Sequence, residues 1–266
     1  MTDLLVKNCL LSKNKDPQDI LIKGGIIKDI ESKITADNIP IIDADFHFVT
    51  PPFVDSHFHM DATLSYGLPR VNKSGTLLEG IKLWGELKPN LTADAIKERA
   101  LKFCKWAIAR GTLAIRSHVD VSGQNLVGVE ALLDVRETMK DFIDIQLVAF
   151  PQDGLLRANC LDNLNTALDM GVDVVGGIPH FERTMEEGHE SIRILCEIAE
   201  KRGLLTDLHC DETDDPMSRH VEKLALETTR LGLKGRVAGS HLTSMHSIDN
   251  YYFTKLISLL VEADLN

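Results

Sequence analysis

The strongest constraint on this chain is a repeated strand-then-helix rhythm that begins after Pro51-Pro52 and continues to the end. Six short apolar stretches, residues 53–57, 113–119, 143–150, 172–178, 204–209 and 236–240, are separated by segments of helical period. Thr92 is predicted to cap a helix that carries Ile96, Phe103, Cys104, Ala107 and Ile108 and closes at Gly111. Residues 190–202 predict a second helix, with Ile194, Leu195 and Ile198 on one face and Gly203 after its end. Strands spaced by helices pair in parallel through right-handed crossovers. The expected fold class is therefore α/β, a closed barrel of eight β/α units of which only strands one to six are visible. A barrel of this kind takes ~250 residues. The 266-residue chain leaves about 215 after the proline pair, so the expectation is a barrel whose C-terminal part is missing.

The first fifty residues alternate in a β manner instead. Asp19-Ile20-Leu21-Ile22-Lys23 and Ile26-Ile27-Lys28-Asp29-Ile30 flank Gly24-Gly25, a two-residue turn that tolerates positive φ at both positions. A third apolar stretch, residues 39–44, runs toward Pro51-Pro52, which cannot continue a ladder. The expected division is a small β domain at 1–50, the N-terminal part of a sandwich, followed by the incomplete barrel at 51–266. The formal net charge of −11 repels phosphate backbones and argues against a nucleic-acid partner. No apolar run approaches the ~20 residues of a membrane span, and the start lacks the order of a secretory signal. Five cysteines without paired spacing point to reduced thiols and a cytoplasmic protein.

In a parallel barrel the functional side chains gather at the C-terminal strand ends. Strand one ends Asp55-Ser56-His57-Phe58-His59, and residues two apart on a strand share a side, so His57 and His59 could grip one ion. Two unrelated histidines near a turn is an equally weighted reading of that pair alone. Strand five ends Leu208-His209-Cys210-Asp211-Glu212 and strand six Gly239-Ser240-His241; histidines at three strand ends converge on one point. Zinc or ferrous iron suits such a nitrogen-rich site, and lowers the pKa of a bound water. Glu212, three residues beyond His209, is placed to shuttle a proton, or is one more charge in an acidic loop with Asp211, Asp214 and Asp215. His118, Asp120 and His180 are expected in the pocket wall or in hydrogen bonds. Asp61 is expected to fix a histidine tautomer, and Trp84 and Trp106 to pack in a core or interface.

Several stretches carry a specific resemblance. Pro51 to Asp61 resembles the strand-one signature of amidohydrolases. Ser74-Gly75-Thr76-Leu77-Leu78-Glu79-Gly80, Val148-Ala149-Phe150-Pro151-Gln152-Asp153-Gly154, Ile178-Pro179-His180-Phe181-Glu182, His209-Cys210-Asp211-Glu212-Thr213-Asp214-Asp215 and Ser240-His241-Leu242-Thr243-Ser244-Met245-His246-Ser247 closely resemble bacterial cytosine deaminases, in order along the chain. The resemblance implies His57, His59 and His209 as ligands of one divalent metal ion, Fe2+ or Zn2+. It implies Glu212 as the proton shuttle, His241 as the group orienting the nucleophilic water and touching the base, and Gln152 as the reader of the amide edge of the base. The carbonyl of Leu77 adds a contact. The implied reaction is hydrolytic deamination of cytosine, or a related amino-substituted base, to uracil and ammonia, as in pyrimidine salvage, by a homo-oligomer when complete.

The family also uses an aspartate at the end of strand eight, which has no counterpart here. A cyclic amidase of the dihydroorotase or hydantoinase type is the competing enzyme class; those usually carry a carboxylated lysine on strand four, and residues 172–181 contain none. An inactive truncated product is the third expectation.

Overall fold

A computed structural model describes residues 3–11 and 16–266. Contacts divide the chain into two units with the boundary after Pro52. In the first, β1 (Leu4–Cys9), β2 (Gln18–Lys23), β3 (Ile26–Glu31) and β4 (Ile41–Asp43) form one sheet in the order β3-β2-β1-β4. β1–β2 and β2–β3 are antiparallel, and β4 joins β1 in parallel. Gly24 and Gly25 turn between β2 and β3 at φ 59° and 79°, which a side chain would resist. One of the two inner strands, β1, escaped the sequence reading, because Leu4-Leu5-Val6 is an apolar run without alternation. Leu5, Leu21 and Ile34 form the small core. Asp19 is buried beside it and accepts the backbone N–H groups of Asn8 (3.0 Å) and Ile34 (2.9 Å).

The second unit holds six parallel strands: β5 (Phe53–Phe58), β6 (Thr112–Asp120), β7 (Asp144–Phe150), β8 (Val174–Gly177), β9 (Leu205–Cys210) and β10 (Val237–His241). They pair in simple chain order and curl into an open half-barrel. Seven helices cover it: α1 (Leu77–Leu87), α2 (Ala93–Ala109), α3 (Val127–Met139), α4 (Cys160–Asp169), α5 (Met185–Arg202), α6 (His220–Arg230) and α7 (Asn250–Ala263). Two of them, α1 and α2, lie between β5 and β6, so the first crossover has room to send α1 across the strand ends.

Local signals explain most of these boundaries. The Thr92 hydroxyl accepts the N–H of Ala95 and starts α2, as its sequence predicts. α5 begins five residues earlier than residue 190, because the Thr184 hydroxyl accepts the N–H of Glu187. Gly203 ends it at φ 69°. The core runs between sheet and helices through Leu147, Val175, Leu195, Leu208 and Leu224, all fully buried. Each such side chain contributes about 1.5–3 kcal/mol on leaving water. β8 is pressed so tightly that glycine at 176 is a steric necessity: a Cβ there would lie 2.5 Å from the carbonyl oxygen of Ala149. All five cysteines are buried and unpaired. No helix among the described residues is long and apolar enough to cross a membrane.

Candidate metal centre and base pocket

The C-terminal ends of the strands open into a cavity of about 800 Å3 lined by His57, His59, Gln152, His209, Glu212 and His241, among others. His57 lies on β5 and His59 just beyond it, so the extended backbone carries both imidazoles to one side. The His59 and His209 Nε2 atoms are 3.0 Å apart. The His57 ring lies 4.7 Å from that of His209 and 4.6 Å from that of His241, centroid to centroid. Two groups of potential ligands overlap at His209, one of His57, His59, His118 and His209 and one of His209, Glu212 and His241. The structure thus brings together the five charged or titratable residues that the sequence singles out. Gln152, after β7, and Leu77, at the first position of α1, stand on the cavity wall.

The sheet also brings in residues given lesser or different roles by the sequence. His118 on β6 is fully buried, its ring 4.5 Å from those of His57 and His209. Its Nε2 faces the Asp207 carboxylate at 3.7 Å, and Asp207 in turn accepts Arg116 (2.8 Å) and the Ser240 hydroxyl (2.7 Å). Burial opposes charge on Asp207, but these partners more than offset it and hold the carboxyl at about 2. Asp61 does not reach a histidine: its carboxylate accepts the backbone N–H of Asp120 at 2.9 Å, and burial pushes its pKa up to about 7. Trp84 is not simple packing. It lines the cavity and donates its indole N–H to Asp120 at 2.7 Å. Its position four residues before Lys88 on one helix face was the signal available in the sequence.

Burial and mutual repulsion keep the imidazoles of His57, His59 and His209 neutral. The His57 pKa falls to about 4 and that of His59 to about 3, through burial first and then the neighbouring histidines; that of His209 is lowered further still. Burial raises Glu212 above the usual glutamate range, with His241, 3.8 Å away, acting in the opposite direction. Among the described residues, His57 Nδ1, His118 Nε2 and His209 Nδ1 are buried without hydrogen-bond partners. Neutral imidazoles such as those of His57, His59 and His209, brought together in one cluster, are what a divalent cation requires, and the donor set fits one. Glu212 and His241 stand at its open side.

Backbone geometry fixes both of these last residues. Asp211, before Glu212, sits at φ 52°, and His241 and Leu242 at φ 74° and 51°. Such conformations persist only when surroundings over-determine them. The Asp211 carboxylate supplies that: it accepts the N–H of His220, the N–H of Val221, the His220 ring and the Ser218 hydroxyl, all between 2.7 and 3.0 Å. The Leu242 N–H reaches Cys210 O at 3.0 Å and the Ser244 N–H reaches Asp211 O at 3.1 Å, which ties the two turns together.

A half-barrel with strand-end histidines, a following glutamate and a sixth-strand histidine defines a class, and the chain belongs to the amidohydrolase family, whose pattern matches residues 40–266. The 5-methylcytosine deaminase of Klebsiella pneumoniae, solved with 5-fluorocytosine, is 40% identical and superposes with a TM-score of 0.94 over 98% of this chain and 64% of its own. N-isopropylammelide isopropyl amidohydrolase of Pseudomonas sp. (strain ADP) is 34% identical over 252 residues, 90% of this chain and 60% of its own. Pterin deaminase of Rhizobium rhizogenes is 28% identical over 253 residues, 93% of this chain and 57% of its own. The chain spans about 60% of the length of these curated relatives.

Proposed function

We propose that the protein is a metal-dependent deaminase of an amino-substituted heterocyclic base, with cytosine or a ring-substituted cytosine as the substrate. The observation that carries this reading is the placement of Gln152, Glu212 and His241 around a single histidine cluster in one cavity. Relatives named for 5-methylcytosine, pterin and N-isopropylammelide support the base class, since each of those compounds is an amino-substituted nitrogen heterocycle.

His57, His59 and His209 would hold one zinc or ferrous ion, which would supply the Lewis acidity that makes water nucleophilic near neutral pH. The Gln152 side chain, donor and acceptor together, reads the amide-like edge of the base, and the Leu77 carbonyl adds a contact. His241 orients the water toward C4. Glu212 takes the proton that the water loses and passes it to the ring nitrogen; it then takes the remaining proton of the hydroxyl on C4 and passes that to the departing amine. The C4–N bond breaks, a C4=O bond forms, and uracil and ammonia leave. Burial of the carboxyl raises its pKa toward the working range of a proton carrier.

The test follows the protein, reconstituted with Zn2+ or Fe2+, by ammonia release from cytosine, 5-methylcytosine, isoguanine and pterin and by ring opening of dihydroorotate. Turnover of cytosine or 5-methylcytosine above the others is expected. Exclusive ring opening of dihydroorotate would overturn the reading.

A further inference from the structure

α1 is a wall of the cavity with little core of its own. Leu83 is its one buried residue, while Leu77 and Leu78, at its start, are 53% and 76% exposed. Apolar burial therefore does not hold it over the strand ends. Polar contacts do, and they converge on one carboxylate. Asp120, the last residue of β6, accepts the Trp84 indole N–H at 2.7 Å and the Lys88 ammonium at 3.3 Å on one oxygen. Its other oxygen accepts the N–H and hydroxyl of Ser122 at 2.7 and 2.6 Å. Its own N–H donates to Asp61, two residues past His59. Lys88 extends the network to the next strand end, donating to Asp153 at 2.6 Å, and the Asp153 N–H donates to the Ser122 hydroxyl at 3.0 Å. Asp153 adjoins Gln152. A single ammonium, 18% exposed, thus joins the end of α1, the end of β6 and the loop after β7.

From this geometry we infer that Lys88 is a positioning residue: it tethers the Gln152 loop and the α1 wall to Asp120 and so sets how the base is gripped. The inference rests on the deaminase reading for the identity of the ligand and not for the tether itself. Two carboxylates face the ammonium, so a neutral replacement leaves like charges on Asp120 and Asp153 without a counter-ion between them. The loop and α1 then separate from the strand end, and Gln152 and Leu77 move with them. Neither Lys88 nor Asp153 touches the histidine cluster, so the metal centre is left in place.

The experiment compares wild type, Lys88→Met and Lys88→Arg by hydrogen–deuterium exchange of residues 77–90 and 151–157, by metal content, and by calorimetric affinity and steady-state constants for cytosine. Lys88→Met is expected to exchange faster in both segments and keep its metal. Its affinity for the base falls about 10-fold to 100-fold, the scale of a displaced contact group, with kcat changed less than KM. Lys88→Arg, which keeps the charge, restores most of the affinity. Unchanged exchange in Lys88→Met would overturn the tether, and so would faster exchange with unchanged base affinity, since Lys88 would then only brace the fold. Should wild type bind no amino-substituted base while exchange still rises in both segments, the deaminase reading falls and the tether stands.

Discussion

At the residue scale, the site depends on side chains of different jobs that substitution can separate. Glu212→Gln keeps size and one acceptor oxygen but removes the carboxylate that carries the proton; turnover is expected to fall by about 10²–10⁴ with metal content unchanged. His209→Ala removes the residue common to both ligand groups and is expected to lose metal and activity together, read by elemental analysis of the purified variant. The same histidines give the metal-free protein an acid sensitivity. His57 and His59 titrate near 4 and 3 in the fold, against an ordinary 6.5. Between those values the unfolded chain binds protons that the folded chain refuses, so stability falls as pH drops from about 6.5 toward 4. Thermal melts of metal-free protein across that window are expected to show a falling midpoint. A flat profile would mean that the imidazoles are not held neutral.

At the scale of elements, β8 and α5 give contrasting outcomes. Alanine at Gly177 would put its Cβ 2.3 Å from a Leu195 methyl, which can swing aside, whereas at Gly176 the Cβ meets the Ala149 carbonyl, which is fixed in the ladder. Gly176→Ala is therefore expected to cost more than the ~1–3 kcal/mol of ordinary overpacking, and more than Gly177→Ala, in denaturant midpoints. Thr184→Ala removes only the hydroxyl that caps α5 and is expected to cost about 1 kcal/mol. Equal losses at the two glycines would mean that β8 shifts as a unit to make room.

At the scale of the whole molecule, the half-barrel has an unpaired margin. Among the described residues no strand pairs with the outer edge of β5, whereas on β10 Asn266 donates its N–H to Val237 O and accepts the Gly239 N–H, both at 3.0 Å. Phe53 and Val54 on β5 are 65% and 68% exposed. In the first unit Ile26, Ile27, Ile30, Ile41 and Ile42 are exposed as well. Unpaired edges and apolar faces recruit other strands. The 266-residue polypeptide, expressed by itself, is expected to elute in gel filtration as an assembly or to precipitate. A monomer with a sharp cooperative melt would show that these edges are protected.

The sequence by itself determined the parallel β/α order, the two-glycine turn, the Thr92 cap and the histidines at strand ends, because each is written in local periodicity or in spacing along one strand. It did not disclose β1, whose short apolar run has no alternation, nor the true start of α5, where Thr184 outcompetes later positions. Tertiary structure alone decided that Asp61 turns to a backbone amide of β6 rather than to a histidine, that His118 joins the histidine cluster, and that Trp84 and Lys88 meet at Asp120. The partners that meet at Asp120 lie 32 to 59 residues from it in the chain. Which side chains meet at that separation is set by strand register and by the path of a crossover helix, and neither is encoded in any one stretch of sequence.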